Sequence, residues 1–168
     1  LQATVGDRPA ALEVAKTVAR THRVGARLSY LPLDLLTDPI PGTYDVVWYS
    51  NVLHIYSSQQ NLDILRRIRA ALNPGGRLII QDAFLHDREG LHPEEASLFA
   101  ASMLLFTETG DTYPVAAVTA WLKEAGFETI KSLKMKRAQE DWEGGVLEAR
   151  VPRGVARTRA NRRRSTGD

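Results

Sequence analysis

The residues best suited to chemistry fall where apolar runs end. Ser50-Asn51-Val52-Leu53-His54 closes a β-branched and aromatic run and precedes a helical pattern. Ser50 and Asn51 therefore place polar groups at a strand end, with His54 just beyond them. A neutral imidazole near pH 7 is suited to removing a proton from a hydroxyl; the plainer reading of a lone histidine here is a satisfied loop residue. Asp82 ends the next apolar run, where a carboxylate could orient the ring or stabilise the imidazolium, or could simply form a turn. Asp7 and Asp34 follow two earlier runs. An acid at the first position can bind a ribose hydroxyl pair or cap a helix. At the second it can accept from an exocyclic amine or close a turn.

Other chemistries lose support. Cysteine is absent, which excludes thiolate and Cys-zinc sites, and His22, His86 and His92 are dispersed without metal-ligand spacing. Neither a Gly-x-Ser-x-Gly elbow nor a P-loop occurs. Gly75-Gly76 follows a helix and enters a strand, the reverse of the order in a phosphate-binding glycine loop.

The elements that must position these residues alternate. Leu1–Val5 reads as a strand, Ala10 to Arg20 as a helix opened by Pro9, and Ala26–Pro32 as a second strand. Tyr44–Tyr49 has the composition of a strand buried on both faces. A helix capped by Ser57 or Ser58 runs to Leu72, where Asn73-Pro74-Gly75-Gly76 is expected to stop it, glycine supplying a left-handed residue and proline unable to continue the helix. Arg77–Gln81 is the next buried strand, followed by a polar loop over Asp82–His92. Helices follow over Pro93–Phe106 and Pro114–Ala125, and Glu128–Lys134 with Gly145–Arg150 read as a closing antiparallel pair. The expected class is α/β, a mostly parallel Rossmann-like sheet with helices on both faces. Ligands in such sheets bind beyond the C-terminal strand ends, where the polar residues above lie.

Of 168 residues, 43% are hydrophobic and 25% charged, values of an ordinary globular domain. No apolar run or signal-peptide pattern calls for a membrane, and the expected location is cytoplasmic. The net charge of +2 conceals a division: residues 150–168 hold seven arginines and one acid, which leaves residues 1–149 at −4. From Arg153 onward no aromatic residue occurs. Residues 152–168 are expected to be a disordered basic tail, and without stacking partners nucleic acid is not an expected ligand.

Tyr44-Asp45-Val46-Val47, Ser50-Asn51-Val52-Leu53-His54, Ala71-Leu72-Asn73-Pro74-Gly75-Gly76-Arg77-Leu78-Ile79-Ile80 and Leu122-Lys123-Glu124-Ala125-Gly126-Phe127 occur in that order. Together they resemble the catalytic domain of class I S-adenosylmethionine-dependent methyltransferases, within them the small-molecule O-methyltransferases of plant caffeate type and bacterial natural-product type. The resemblance covers about residues 1–151. It implies S-adenosylmethionine as cofactor, held by Asp7 at the ribose, Asp34 and Leu35 at the adenine, and Ser50 near the methionine end. It implies His54 as general base, Asp82 as the carboxylate orienting it, and Met103 and Thr107 on the helix lining the acceptor pocket. The acceptor is then the hydroxyl of a small, aromatic or polyketide-like molecule, with no metal and with a homodimer allowed in the full-length protein.

The departures are specific. The family has Asp after the catalytic His, where this chain has Ile55, and a second carboxylate where it has Thr112. The family's sheet order is 3-2-1-4-5-7-6, and its first strand and glycine-rich loop would lie ahead of Leu1, so the sequence is expected to be N-terminally truncated. The competing expectations are a methyltransferase-fold fragment without cofactor binding, and an RNA methyltransferase or RNA-binding protein using the tail. Residues 1–168 alone are expected to bind S-adenosylmethionine poorly; calorimetric binding in the micromolar range would contradict this.

Overall fold

A computed structural model of the chain describes residues 1–86, 92–133 and 145–153. The elements alternate as strand β1 (Ala3–Asp7), helix α1 (Pro9–Thr21), β2 (Leu28–Pro32), β3 (Tyr44–Ser50), α2 (Ser58–Ala71), β4 (Leu72–Asp82), β5 (Phe84–Leu85), α3 (Glu94–Phe106), β6 (Tyr113–Pro114), α4 (Val115–Glu124), β7 (Glu128–Leu133) and β8 (Gly145–Arg150). Short 3-10 turns cover Gly25–Arg27 and Leu53–Ile55.

The strands form two main sheets. β1 and β2 pair in parallel, while the second sheet runs β3–β4–β8–β7, parallel between β3 and β4 and antiparallel at β8. With strand 1 set aside, the pair β2–β1 and the series β3–β4–β8–β7 follow the order 3-2-1-4-5-7-6 that the resemblance implies. Among the described residues β1 and β3 each pair with one neighbour. This changes the expectation for β3: Val46 and Trp48 are exposed, and Tyr49 alone is fully buried. Val46 and Trp48, two residues apart, share one face of the strand, and their exposure shows that face uncovered among the described residues, so the composition of β3 overstated its burial.

Strand β4 lies between β3 and β8 and carries the core. Leu78 and Ile80 are completely buried, and α2 lays Ile64, Leu65 and Ile68 against the same cluster, closed by Val118 and Leu122 of α4. The helical spacing of α2's apolar residues is what aims that face inward. Its N-terminus is fixed by a capping box between Ser57 and Gln60.

The end of α2 differs from expectation. The helix stops because Leu72 and its successors are extended, with Leu72 at φ −90°, ψ 137°; a residue ahead of proline disfavours the helical region, which excludes it for Asn73. The left-handed glycine, Gly75 at φ 78°, is used three residues later inside β4, and its N–H donates to the Val151 carbonyl. The loop expected to begin at Asp82 begins instead with buried Ala83, Phe84 and Leu85, the last two forming β5 against β6. Lys134 and residues 154–168, including most of the expected tail, lie outside the described residues.

Candidate active site

The chain leaves β3 through Asn51, whose φ of 55° is a left-handed conformation that asparagine tolerates, and whose N–H donates to the Gln81 carbonyl. The 3-10 turn that follows carries His54. Asp82, at the C-terminal end of β4, is fully buried. Its carboxylate accepts from three N–H groups: Leu53 N at 3.0 Å, Ala83 N at 2.8 Å and His54 Nδ1 at 2.7 Å. Two backbone amides thus fix the carboxylate, and the carboxylate fixes the imidazole. With Nδ1–H donating to the Asp82 carboxylate, the neutral tautomer of the ring has its free lone pair on Nε2. The Phe99 ring of α3 meets the His54 ring in a T-shaped contact at 4.8 Å, and the His54 side chain is 12% exposed.

The turn itself is held from several sides. Asn61 of α2, fully buried, donates to the carbonyls of Leu53 (2.8 Å) and Tyr56 (2.9 Å) and accepts from the Tyr49 hydroxyl (3.3 Å). The Tyr113 hydroxyl donates to the same Tyr56 carbonyl at 2.7 Å, and Asp111 N–H to the His54 carbonyl at 3.0 Å. Gly110 is packed so closely there that a Cβ would collide with the His54 carbonyl and the Thr107 hydroxyl. Burial pushes the Tyr49 phenol well above its ordinary range, and Tyr113 up to about 12 through burial and the neighbouring Asp111. Both hydroxyls are therefore donors at any physiological pH.

The sequence singled out neither Asn61, Phe99, Tyr113 nor Gly110. Asn61 did leave a signal: it falls on the 61-64-65-68 stripe of α2, a polar residue in line with Ile64, Leu65 and Ile68. The contacts of Phe99, Tyr113 and Gly110 depend on where the loop between α3 and β6 folds back, which periodicity does not report.

The remaining candidates are dispersed over strand ends. Asp7 ends β1, exposed, and its carboxylate accepts from Arg8 N–H at 2.7 Å; the α1 N-cap is Arg8, so Asp7 is not that helix's cap. Asp34 does make a turn, accepting Leu36 N–H on Oδ1, while Leu35 beside it is half-buried. Ser50 ends β3 in register with Gln81, and its Oγ accepts from the Asn51 amide. Met103 and Thr107 line a cleft of about 400 Å³ with Ser57, Thr109 and Tyr113. The structure joins His54 to Asp82 directly, and Thr107 approaches the His54 carbonyl through Gly110, whose N–H the Thr107 hydroxyl accepts. Thr107 caps α3, its hydroxyl donating to the Met103 carbonyl and accepting Gly110 N–H. Thr112, where the resemblance called for a carboxylate, is buried with its hydroxyl on the Ala96 carbonyl. Among the described residues no group of three or more His, Cys, Asp or Glu could hold a metal ion, and no helix is long and apolar enough to cross a membrane.

Residues 1–128 match the O-methyltransferase domain family. The chain belongs to that family. It is 30% identical over 134 residues to 3-hydroxy-5-methyl-1-naphthoate 3-O-methyltransferase of Streptomyces sahachiroi, covering 80% of this chain and 38% of the relative. It is 34% identical over 126 residues to L-tyrosine C(3)-methyltransferase of Streptomyces lavendulae, covering 69% of this chain and 33% of that protein. A solved structure of the S-adenosylmethionine-dependent methyltransferase SibL in its apo form superposes with a TM-score of 0.76 at 32% identity, over 91% of this chain and 44% of that one. The chain thus spans less than half the length of these relatives.

The Tyr113 hydroxyl gives this site a readable pH signature. Folded Tyr113 keeps its proton up to about 12, whereas an unfolded tyrosine loses it near pH ~10. The folded state therefore binds more protons in between, and the stabilisation, complete below the unfolded value, is lost as pH rises through that interval. In the full-length protein, the melting temperature is expected to fall more steeply over this range in wild type than in Tyr113→Phe. Equal slopes would show that the buried hydroxyl carries no such linkage.

Proposed function

We propose that this chain is the catalytic portion of an S-adenosylmethionine-dependent O-methyltransferase that methylates a hydroxyl of a small aromatic or polyketide-like acceptor, with His54 as general base. The observation carrying this reading is the buried Asp82–His54 hydrogen bond of 2.7 Å at the C-terminal end of the sheet, in a chain belonging to this family.

The donor set fits the cofactor. Asp7 offers an exposed carboxylate at the end of β1, suited to a ribose diol. Asp34 and the half-buried Leu35 offer an acceptor and an apolar wall, suited to an adenine. The Ser50 hydroxyl accepts from Asn51 and keeps its own proton to donate. When bound, S-adenosylmethionine supplies an electrophilic methyl on a sulfonium.

The chain's part is to align and deprotonate. His54 Nε2 takes the proton of the acceptor hydroxyl as that oxygen becomes the nucleophile, and the resulting imidazolium keeps Nδ1–H on Asp82. The negative carboxylate stabilises the charge that develops on the ring. Phe99 limits the ring's freedom to turn, so less alignment has to be gained at the moment of reaction. Since Thr112 offers no charge, Asp82 is the carboxylate that serves the ring.

General bases contribute ~10²–10⁴-fold to rate. His54→Ala in the full-length enzyme is expected to lower kcat by about 10²-fold, with cofactor affinity by calorimetry unchanged. Unchanged turnover would remove His54 as the base.

A further inference from the structure

Given His54 as base, we infer that Asn61 is its positioning residue on the helix side, holding the turn that presents the imidazole to the acceptor. A three-residue 3-10 turn has poor hydrogen-bond geometry of its own. In this one Ile55 N–H reaches the Val52 carbonyl at 3.0 Å, but Tyr56 N–H reaches the Leu53 carbonyl only at 3.4 Å. The turn is held in place mainly by groups outside it.

Those groups divide into two clamps. Asp82 grips the strand side, accepting Leu53 N–H and His54 Nδ1–H. Asn61 grips the other side, its two amide hydrogens spanning the carbonyls of Leu53 and Tyr56, one on each side of His54. Leu53 is gripped by both, through its N–H and its carbonyl. Asn61 is in turn held by the Tyr49 hydroxyl from β3, the strand that feeds the turn. All three side chains are buried, so water cannot replace a lost partner.

The spacing follows from the sequence. Asn61 is the fourth residue of α2, and its N–H makes the first-turn bond to the Ser57 carbonyl. The helix start fixed by the Ser57–Gln60 capping box therefore also fixes where the amide stands. No other residue type offers two coplanar donors and an acceptor at this length: aspartate lacks the donors, leucine lacks both, and glutamine is one methylene longer.

A residue that served only to satisfy the core would, when replaced, change stability and leave the imidazole alone. A positioning residue must change the imidazole itself. The test is long-range proton–nitrogen NMR of the histidine rings in the full-length protein, with kcat and KM measured alongside. Wild type is expected to show His54 with its proton on Nδ1. In Asn61→Leu both tautomers should appear, and kcat should fall by about 10-fold or more with KM little changed, as misplacement of a reacting group predicts. Tyr49→Phe, which leaves both Asn61 donor bonds in place, should keep the wild-type tautomer. If Asn61→Leu does not fold, Asn61→Ser, which retains one donor, should show a smaller shift in the same direction. A folded Asn61 variant with wild-type tautomer and kcat would overturn the inference while leaving His54 as base intact. A wild-type ring protonated on Nε2 would instead overturn the reading of His54.

Discussion

A carboxylate with no access to water sits at the centre of this structure, and everything around the imidazole answers to it. Asp82 is fully buried, so each of its oxygens must find donors within the protein. It finds them in two backbone amides and one ring N–H. Because the amides cannot move without disturbing β4 and the turn at Leu53, the carboxylate's direction is set by the backbone. The ring then has one orientation that satisfies the third bond. The tautomer that leaves Nε2 free follows from that one constraint.

The apolar frame keeps the constraint effective. β4 lies inside the four-stranded sheet with Leu78 and Ile80 completely buried, and α2 covers it with Ile64, Leu65 and Ile68. Excluding water there strengthens the polar bonds at the strand's end and makes their loss costly. The loop between α3 and β6 completes the enclosure. Its Gly110 lies against the His54 carbonyl, where any side chain would collide, and Tyr113 adds a second donor to the Tyr56 carbonyl. Position of the His54 ring is thus a joint product of two strands, two helices and one loop.

Much of this was legible in the sequence, for identifiable reasons. The helical spacing of α2 and the apolar run of β4 each specify which way a face points, so Asp82 and His54 could be placed at adjacent strand ends from their positions alone. Burial of β3 could not be read, because composition reports what a strand tolerates and not whether a neighbour covers it. The end of α2 was located within one residue and proline's part in it was legible, but the left-handed glycine expected to cap the helix, Gly75, shapes β4 instead. Asn61 and Phe99 were missed because their importance lies in which atoms they meet across the fold.

Membership of the O-methyltransferase family rests on residues 1–128, and the chemistry proposed for it rests on the direction in which Asp82 turns one imidazole. Asp82→Asn in the full-length enzyme addresses that directly, because it preserves size while replacing one acceptor oxygen by an amide donor. If the carboxylate sets the base, turnover should fall by about the factor seen on losing the imidazole, within ~10-fold, while cofactor affinity holds. A folded Asp82→Asn enzyme that retains turnover within about twofold of wild type would contradict the account.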